Sequence, residues 1–94
     1  MTNPEISNMG TKRWHNQNGQ YHRKDGPAVK WVDGSKEWWI NGKSHRLDGP
    51  ALEGPNGICF YFINDRELTE DEWNVHPLRK DYIIQKNLKY ILND

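Results

Sequence analysis

Two His-Arg-x-Asp sets carry the side chains best suited to chemistry: His22, Arg23 and Asp25, and again His45, Arg46 and Asp48. A histidine near a carboxylate could work as an acid–base pair, with the arginine holding an anion. Catalysis, however, needs one asymmetric site in which a base adjoins a nucleophile or oxyanion donors. Here the same set stands twice, with no serine, cysteine or further carboxylate attached to both copies. Duplication fits a structural staple. Each Asp is expected to bond backbone N–H groups of its own Gly-Pro turn, while His and Arg tie neighbouring units together. His15, His22, His45 and His76 lack the close ligand pairs of a zinc site, and the single cysteine, Cys59, has no partner at short spacing. Gly54-Pro55-Asn56-Gly57 lacks the Lys-Ser/Thr that completes a phosphate cradle, and reads as a turn. The expectation is a chain with no catalytic residue, no cofactor and no metal.

The duplicated sets belong to a longer period. His22-Arg23-Lys24-Asp25-Gly26-Pro27-Ala28 returns 23 residues later as His45-Arg46-Leu47-Asp48-Gly49-Pro50-Ala51. The same offset relates Asn18-Gly19 to Asn41-Gly42, and Trp39-Ile40-Asn41-Gly42 to Phe62-Ile63-Asn64-Asp65. Gly10–Trp14 aligns with Gly34–Trp38 if one residue is inserted near Asn16. A fixed period of this length implies units that bury their apolar faces only by stacking on one another.

Ninety-four residues make one small domain, and hydrophobic content is low at 34%. Five Trp, four Tyr and two Phe must supply the core, since each large ring buries on the order of 150–250 Å². Thirteen basic and thirteen acidic residues cancel, so neither DNA nor RNA is expected as a partner. The chain shows no signal peptide and no long apolar run, which favours a cytoplasmic location over a membrane. Cys59, within an apolar run, is expected to be a buried small hydrophobe.

These patterns place an α+β fold. Residues 1–9, without aromatic residues, read as a flexible N-terminal arm. Residues 10–68 read as an antiparallel β-meander of about two and a half 23-residue repeats, with hairpin turns at Asp33-Gly34 and Asn41-Gly42. Pro27 and Pro50 belong at strand starts or edges, because proline donates no ladder bond. Residues 69–94 read as C-terminal helices packing on the sheet. Thr69 and Glu72 form a capping box, and Pro77 stops the first helix. In the second, Ile84, Leu88 and Ile91 make an apolar stripe, with Arg79, Lys80, Lys86 and Lys89 mainly opposite.

Trp38-Trp39-Ile40-Asn41-Gly42-Lys43-Ser44-His45-Arg46-Leu47-Asp48-Gly49-Pro50-Ala51 resembles a repeat of small phage and bacterial proteins that diverges from the MORN motif. The resemblance covers roughly residues 10 to 68 and implies a curled antiparallel sheet with a binding role. The third unit departs from it, with Asp65 at the turn glycine and Glu67-Leu68 in place of Ser44-His45, as a terminal cap would.

Strand alternation places Trp39, Phe60 and Phe62 on one face, and Trp38, Ile40, Tyr61 and Ile63 on the other. One helix covers a single face well, so the other must be closed by sheet curvature and Lys/Arg stems, by the arm, or by another molecule, self-association included. Trp31, Trp38, Trp39 and Tyr61 are the expected protein-binding residues, because Trp, Tyr and Arg most often anchor interfaces. The leading expectation is a non-enzymatic module, phage-encoded by the resemblance, that binds and inhibits or redirects a host protein, a defence system such as CRISPR among them. A lipid- or ligand-binding MORN-like role, homodimerisation as a structural protein, and a hydrolase using the histidines are the competing readings.

Overall fold

In the computed structural model, which describes residues 3–92, nine short strands precede two helices. The strands are β1 (Glu5–Ile6), β2 (Lys12–Arg13), β3 (Val29–Lys30), β4 (Lys36–Glu37), β5 (Trp39–Ile40), β6 (Lys43–Ser44), β7 (Leu52–Glu53), β8 (Cys59–Ile63) and β9 (Arg66–Leu68). The helices are α1 (Glu70–Asn74) and α2 (Pro77–Leu92). Seven strands form one antiparallel meander in the order β1-β2-β3-β4-β7-β8-β9, and β5-β6 stands as a separate hairpin. The fold is thus α+β, with the sheet first and the helices after it.

The repeat is written into the hydrogen bonds. Ala28 N–H donates to Glu37 O, and Ala51 N–H to Phe60 O. Arg23 N–H donates to Trp39 O, and Arg46 N–H to Phe62 O. Gly42 N–H donates to Tyr21 O, and Asp65 N–H to Ser44 O. Each pair is one bond carried forward by a single repeat. The first two strand residues of a unit lie in the meander, and the next hairpin stacks beside the preceding unit's hairpin. That is why β8 is the longest strand: its start pairs with β7 and its end with β9.

Left-handed turns close the hairpins. Asn41 (φ 48°) and Gly42 (φ 79°) have the two positive φ values of a type I′ turn, as do Asn64 (φ 50°) and Asp65 (φ 71°). Asp65 replaces glycine at an unfavourable φ, and its carboxylate accepts the Ser44 N–H at 3.2 Å. The side chain therefore offsets the strain that glycine avoids.

Two expectations about the ends require correction. Residues 3–9 are not a flexible arm: β1 pairs with β2 as the sheet's first strand. Ser7 N–H donates to Thr11 O, Thr11 N–H to Ser7 Oγ, and Gly10 turns at φ 96°. These bonds close a hairpin that the polar sequence conceals; residues 1 and 2 lie outside the described chain. Nor does the helical tail pack as one body. α1 seats Trp73 against Tyr61, with ring centroids 4.7 Å apart. α2 touches the body through Arg79, which donates to Leu47 O at 2.9 Å. Beyond Tyr82, each described side chain of α2 is exposed. The His76–Pro77 break redirects the chain before the stripe begins.

Fully buried side chains are few and small. Ala28, Val29 and Ala51 have no exposure, and Ile63 and Trp73 are nearly as deep. Cys59 is exposed rather than buried. It opens β8 opposite Glu53, a charged neighbour, before the part of the strand that the helices cover.

The capping box of α1 is complete. Glu72 N–H donates to Thr69 Oγ1 and Thr69 N–H to Glu72 Oε1; the Thr69 backbone N–H, and after it the Thr69 side chain, hold the Glu72 carboxyl below its usual range. Thr69→Ala should lower unfolding stability by about 1 kcal/mol in urea denaturation. Thr69→Ser, which keeps the acceptor, should recover most of it.

Candidate functional site

The two His-Arg-x-Asp sets resolve into one device used twice. Arg23 Nε donates to Asp25 Oδ1 at 3.1 Å and Nη1 to Pro27 O at 3.2 Å. Arg46 repeats this with Asp48 at 2.8 Å and Pro50 O at 3.0 Å, and adds Glu53 at 3.0 Å. So held, each guanidinium lies over an indole, Arg23 3.9 Å above Trp14 and Arg46 3.7 Å above Trp38. Both Asp residues therefore position the arginine instead of bonding turn N–H groups. Both arginines act chiefly within their own unit instead of across units, because the guanidinium fork is filled locally.

The histidines do bridge units. His22 Nδ1 accepts the Asn41 N–H and His45 Nδ1 the Asn64 N–H, each at 3.0 Å. Both acceptors hold the first left-handed residue of the next hairpin. A ring nitrogen engaged in this way is not a free base, and each Asp bonds its arginine rather than its histidine. Among the described residues, no three His, Cys, Asp or Glu side chains are gathered as a metal centre would need.

Register defines the other candidate. Directly opposed residues share a face, so Glu5, Arg13, Val29, Glu37, Leu52 and Phe60 form one row across the sheet. Trp31, Trp39 and Phe62 lie two residues on from members of that row and join the same front face. Glu37 confirms the grouping: its carboxylate accepts both the Trp31 and the Trp39 indole N–H. Arg13 sits 5.4 Å from the Trp31 ring. Of the apolar side chains here, Trp31 is 40% exposed, Phe60 43% and Ile58 55%.

The four residues expected to bind a partner thus part company. Trp31 is exposed on the front face. Trp39 is half-buried there, its ring edge-on to Tyr21 at 5.7 Å. Trp38 lies under Arg46, and Tyr61 packs on Trp73 while donating to Glu70 at 3.2 Å. Desolvation, and then the Glu70 charge, push the Tyr61 phenol up. Trp38 and Tyr61 are half-buried in contacts within the scaffold. Phe60 and Ile58 are the surface residues that residue type alone passes over; strand alternation beside Trp39 signals Phe60.

No known protein family, curated protein or solved structure matches the chain. No helix among the described residues is long and apolar enough to cross a membrane.

Gly26 and Gly49 serve the arginines rather than the turn, since neither has a positive φ. A Cβ on Gly49 would lie 2.6 Å from Arg46 Cζ, and one on Gly26 3.1 Å from Arg23 Cζ. Gly49→Ala should therefore displace Arg46 from Trp38 and cost about 1–3 kcal/mol in denaturant unfolding. Gly26→Ala should cost less.

Burial, and secondarily the His76 charge, hold the His45 imidazole below its ordinary value of 6.5. The fold thus favours neutral His45, whose Nδ1 must stay an acceptor. Its contribution is complete above the unfolded value and is lost as pH falls from 6.5 through the depressed folded value. Thermal melts should show the midpoint declining over that range. His45→Asn, which keeps an acceptor without titrating, should flatten the decline.

Proposed function

We propose that this chain is a non-enzymatic protein-binding module that docks a partner on the front face of its sheet. One observation carries the reading: the exposed apolar residues stand where the repeat does not require them. Residues that build the fold recur in kind one period apart, as in Ala28 and Ala51, Val29 and Leu52, Trp39 and Phe62, and Ile40 and Ile63. Trp31 has Gly54 as its counterpart, Phe60 has Glu37, and Ile58 has Ser35. A scaffold that folds with glycine, glutamate and serine at these positions gains little intramolecular packing from exposed rings. Their exposure has a use in association.

The platform is also ordered in advance. The Glu37 acceptor and the Arg13 cation fix the Trp31 ring, so docking orders few rotamers. Trp, Tyr and Arg are the residue types enriched at binding centres. The resemblance to repeats of small phage proteins supports a host protein as the partner, with inhibition or redirection as the outcome. An inhibitor of a bacterial defence system belongs to that class.

The test is affinity capture from bacterial lysate with the chain and with a Trp31→Ser, Phe60→Ser variant whose circular dichroism matches. The expected result is one dominant protein, reduced at least tenfold with the variant, the loss of about 1.4 kcal/mol or more. Equal capture by the folded variant would rule out the front face.

A further inference from the structure

We infer that Asn56 is a self-modification site: the Gly57 backbone nitrogen attacks its side-chain amide, and the turn between β7 and β8 converts to an aspartyl or isoaspartyl form. Three Asn-Gly pairs occur in the chain, at Asn18, Asn41 and Asn56. Glycine favours this ring closure, because it has no side chain to block the approach and restricts the backbone least. The sequence offers the three pairs alike, and the structure separates them.

Ring closure needs a disengaged glycine nitrogen and a side-chain amide free to rotate onto it. At Asn41 both are occupied: Gly42 N–H donates to Tyr21 O at 2.9 Å, and Asn41 Oδ1 accepts Asn16 Nδ2 at 3.0 Å. At Asn18 the turn is pinned on both sides of the reacting bond. Gly19 N–H donates to Asn16 O at 3.1 Å and Asn18 N–H to Asn16 Oδ1 at 2.9 Å. Among the described residues, neither Gly57 N–H nor the Asn56 side chain makes a hydrogen bond of ordinary geometry, and both residues are exposed.

The repeat supplies an internal comparison. One period earlier, Gly34 N–H donates to Trp31 O at 3.1 Å, and Asp33 Oδ1 accepts the Ser35 N–H at 2.8 Å. The Asn56-Gly57 turn lacks both bonds at that geometry and keeps only Gly54 N–H to Ile58 O. The Asp-Gly pairs do not compete. The Ser35 backbone bond holds the Asp33 carboxyl below its ordinary value, and Asp25 and Asp48 bond arginines. An ionised carboxylate resists a nucleophile that a neutral amide accepts.

The reaction balances with water alone. The Gly57 nitrogen bonds to Asn56 Cγ, the Cγ–Nδ2 bond breaks, and the Gly57 amide proton leaves with Nδ2 as ammonia. Water then opens the cyclic imide at either carbonyl. Opening at Cγ leaves aspartate, whereas opening at the backbone carbonyl routes the chain through the side chain and lengthens the turn. Either product adds a negative charge just before Ile58 and Phe60, the exposed apolar residues of the front face. An effect on docking rests on the front-face reading; the ring closure does not.

Prolonged incubation of the folded chain in mildly alkaline buffer tests the assignment, with peptide mapping by mass spectrometry and labelling by an isoaspartyl methyltransferase. Conversion should run at least tenfold faster at Asn56 than at Asn18 or Asn41. In concentrated urea, where all three turns are lost, the rates should converge. Asn56→Gln, whose longer side chain closes the ring poorly, should keep its amide and reduce methyl labelling to background. Equal rates at the three pairs of the folded chain overturn the inference, as does faster conversion at Asn18 or Asn41. So does a folded chain that stays intact at Asn56 while the unfolded chain converts. Partner capture plays no part in this readout, so failure of the front-face reading leaves it unaffected.

Discussion

The rest of the structure depends on a guanidinium held flat against an indole. Arg23 on Trp14 and Arg46 on Trp38 are the same contact one unit apart, and the motif around them exists to hold it. The aspartate two residues on orients the guanidinium, the proline carbonyl accepts its other edge, and the glycine leaves the space it fills. A cation–π contact contributes about 0.5–1 kcal/mol when exposed and near 2 when desolvated. Few side chains are fully buried here, so such contacts matter more than in an aliphatic core. The fully buried Ala28 and Ala51 are small, so no large aliphatic layer takes the place of these contacts.

The same interaction ends the array, built from different secondary structure. Arg79 lies 3.9 Å above Trp73, both on the helices. The Trp73 indole donates to Arg46 O, and Arg79 donates to Leu47 O, so the pair is fastened to the second unit's motif. The third unit loses the His-Arg-x-Asp sequence, and the helices supply a substitute Trp–Arg pair at the exposed end of the stack. A terminal unit must satisfy the backbone groups that another repeat would have taken. The capping box of α1 orients Trp73 for that role.

Much of this was legible in the residues. The 23-residue offset, the Asn41-Gly42 turn, the capping box and the break at Pro77 each rest on local chemistry, and local chemistry fixes local structure. The pairing of Trp14 with Arg23 was not legible, because it joins residues across a loop that no periodicity marks. Nor was β1, a two-residue strand held by Ser7 and Thr11 bonds rather than by an apolar pattern. The stripe on α2 was legible as a stripe, but its direction depends on where Arg79 is anchored. For the candidate site, residue type favoured the four large rings equally. Only the tertiary contacts separate Trp31, which faces solvent, from Trp38 and Tyr61, which are half-buried within the scaffold.

Repetition makes that separation meaningful. A position filled alike in successive units answers to the stacking geometry, which is the same for each. A position filled differently answers to something the stacking does not impose. Arg13, Glu37 and Phe60 occupy one such position in three successive units, a cation, an anion and a ring in a single row. Their order grades the front face from charged at the first unit to apolar at the third. The scaffold is symmetric along its axis, and its surface is not. A surface graded in this way has two unlike ends, although the framework beneath repeats.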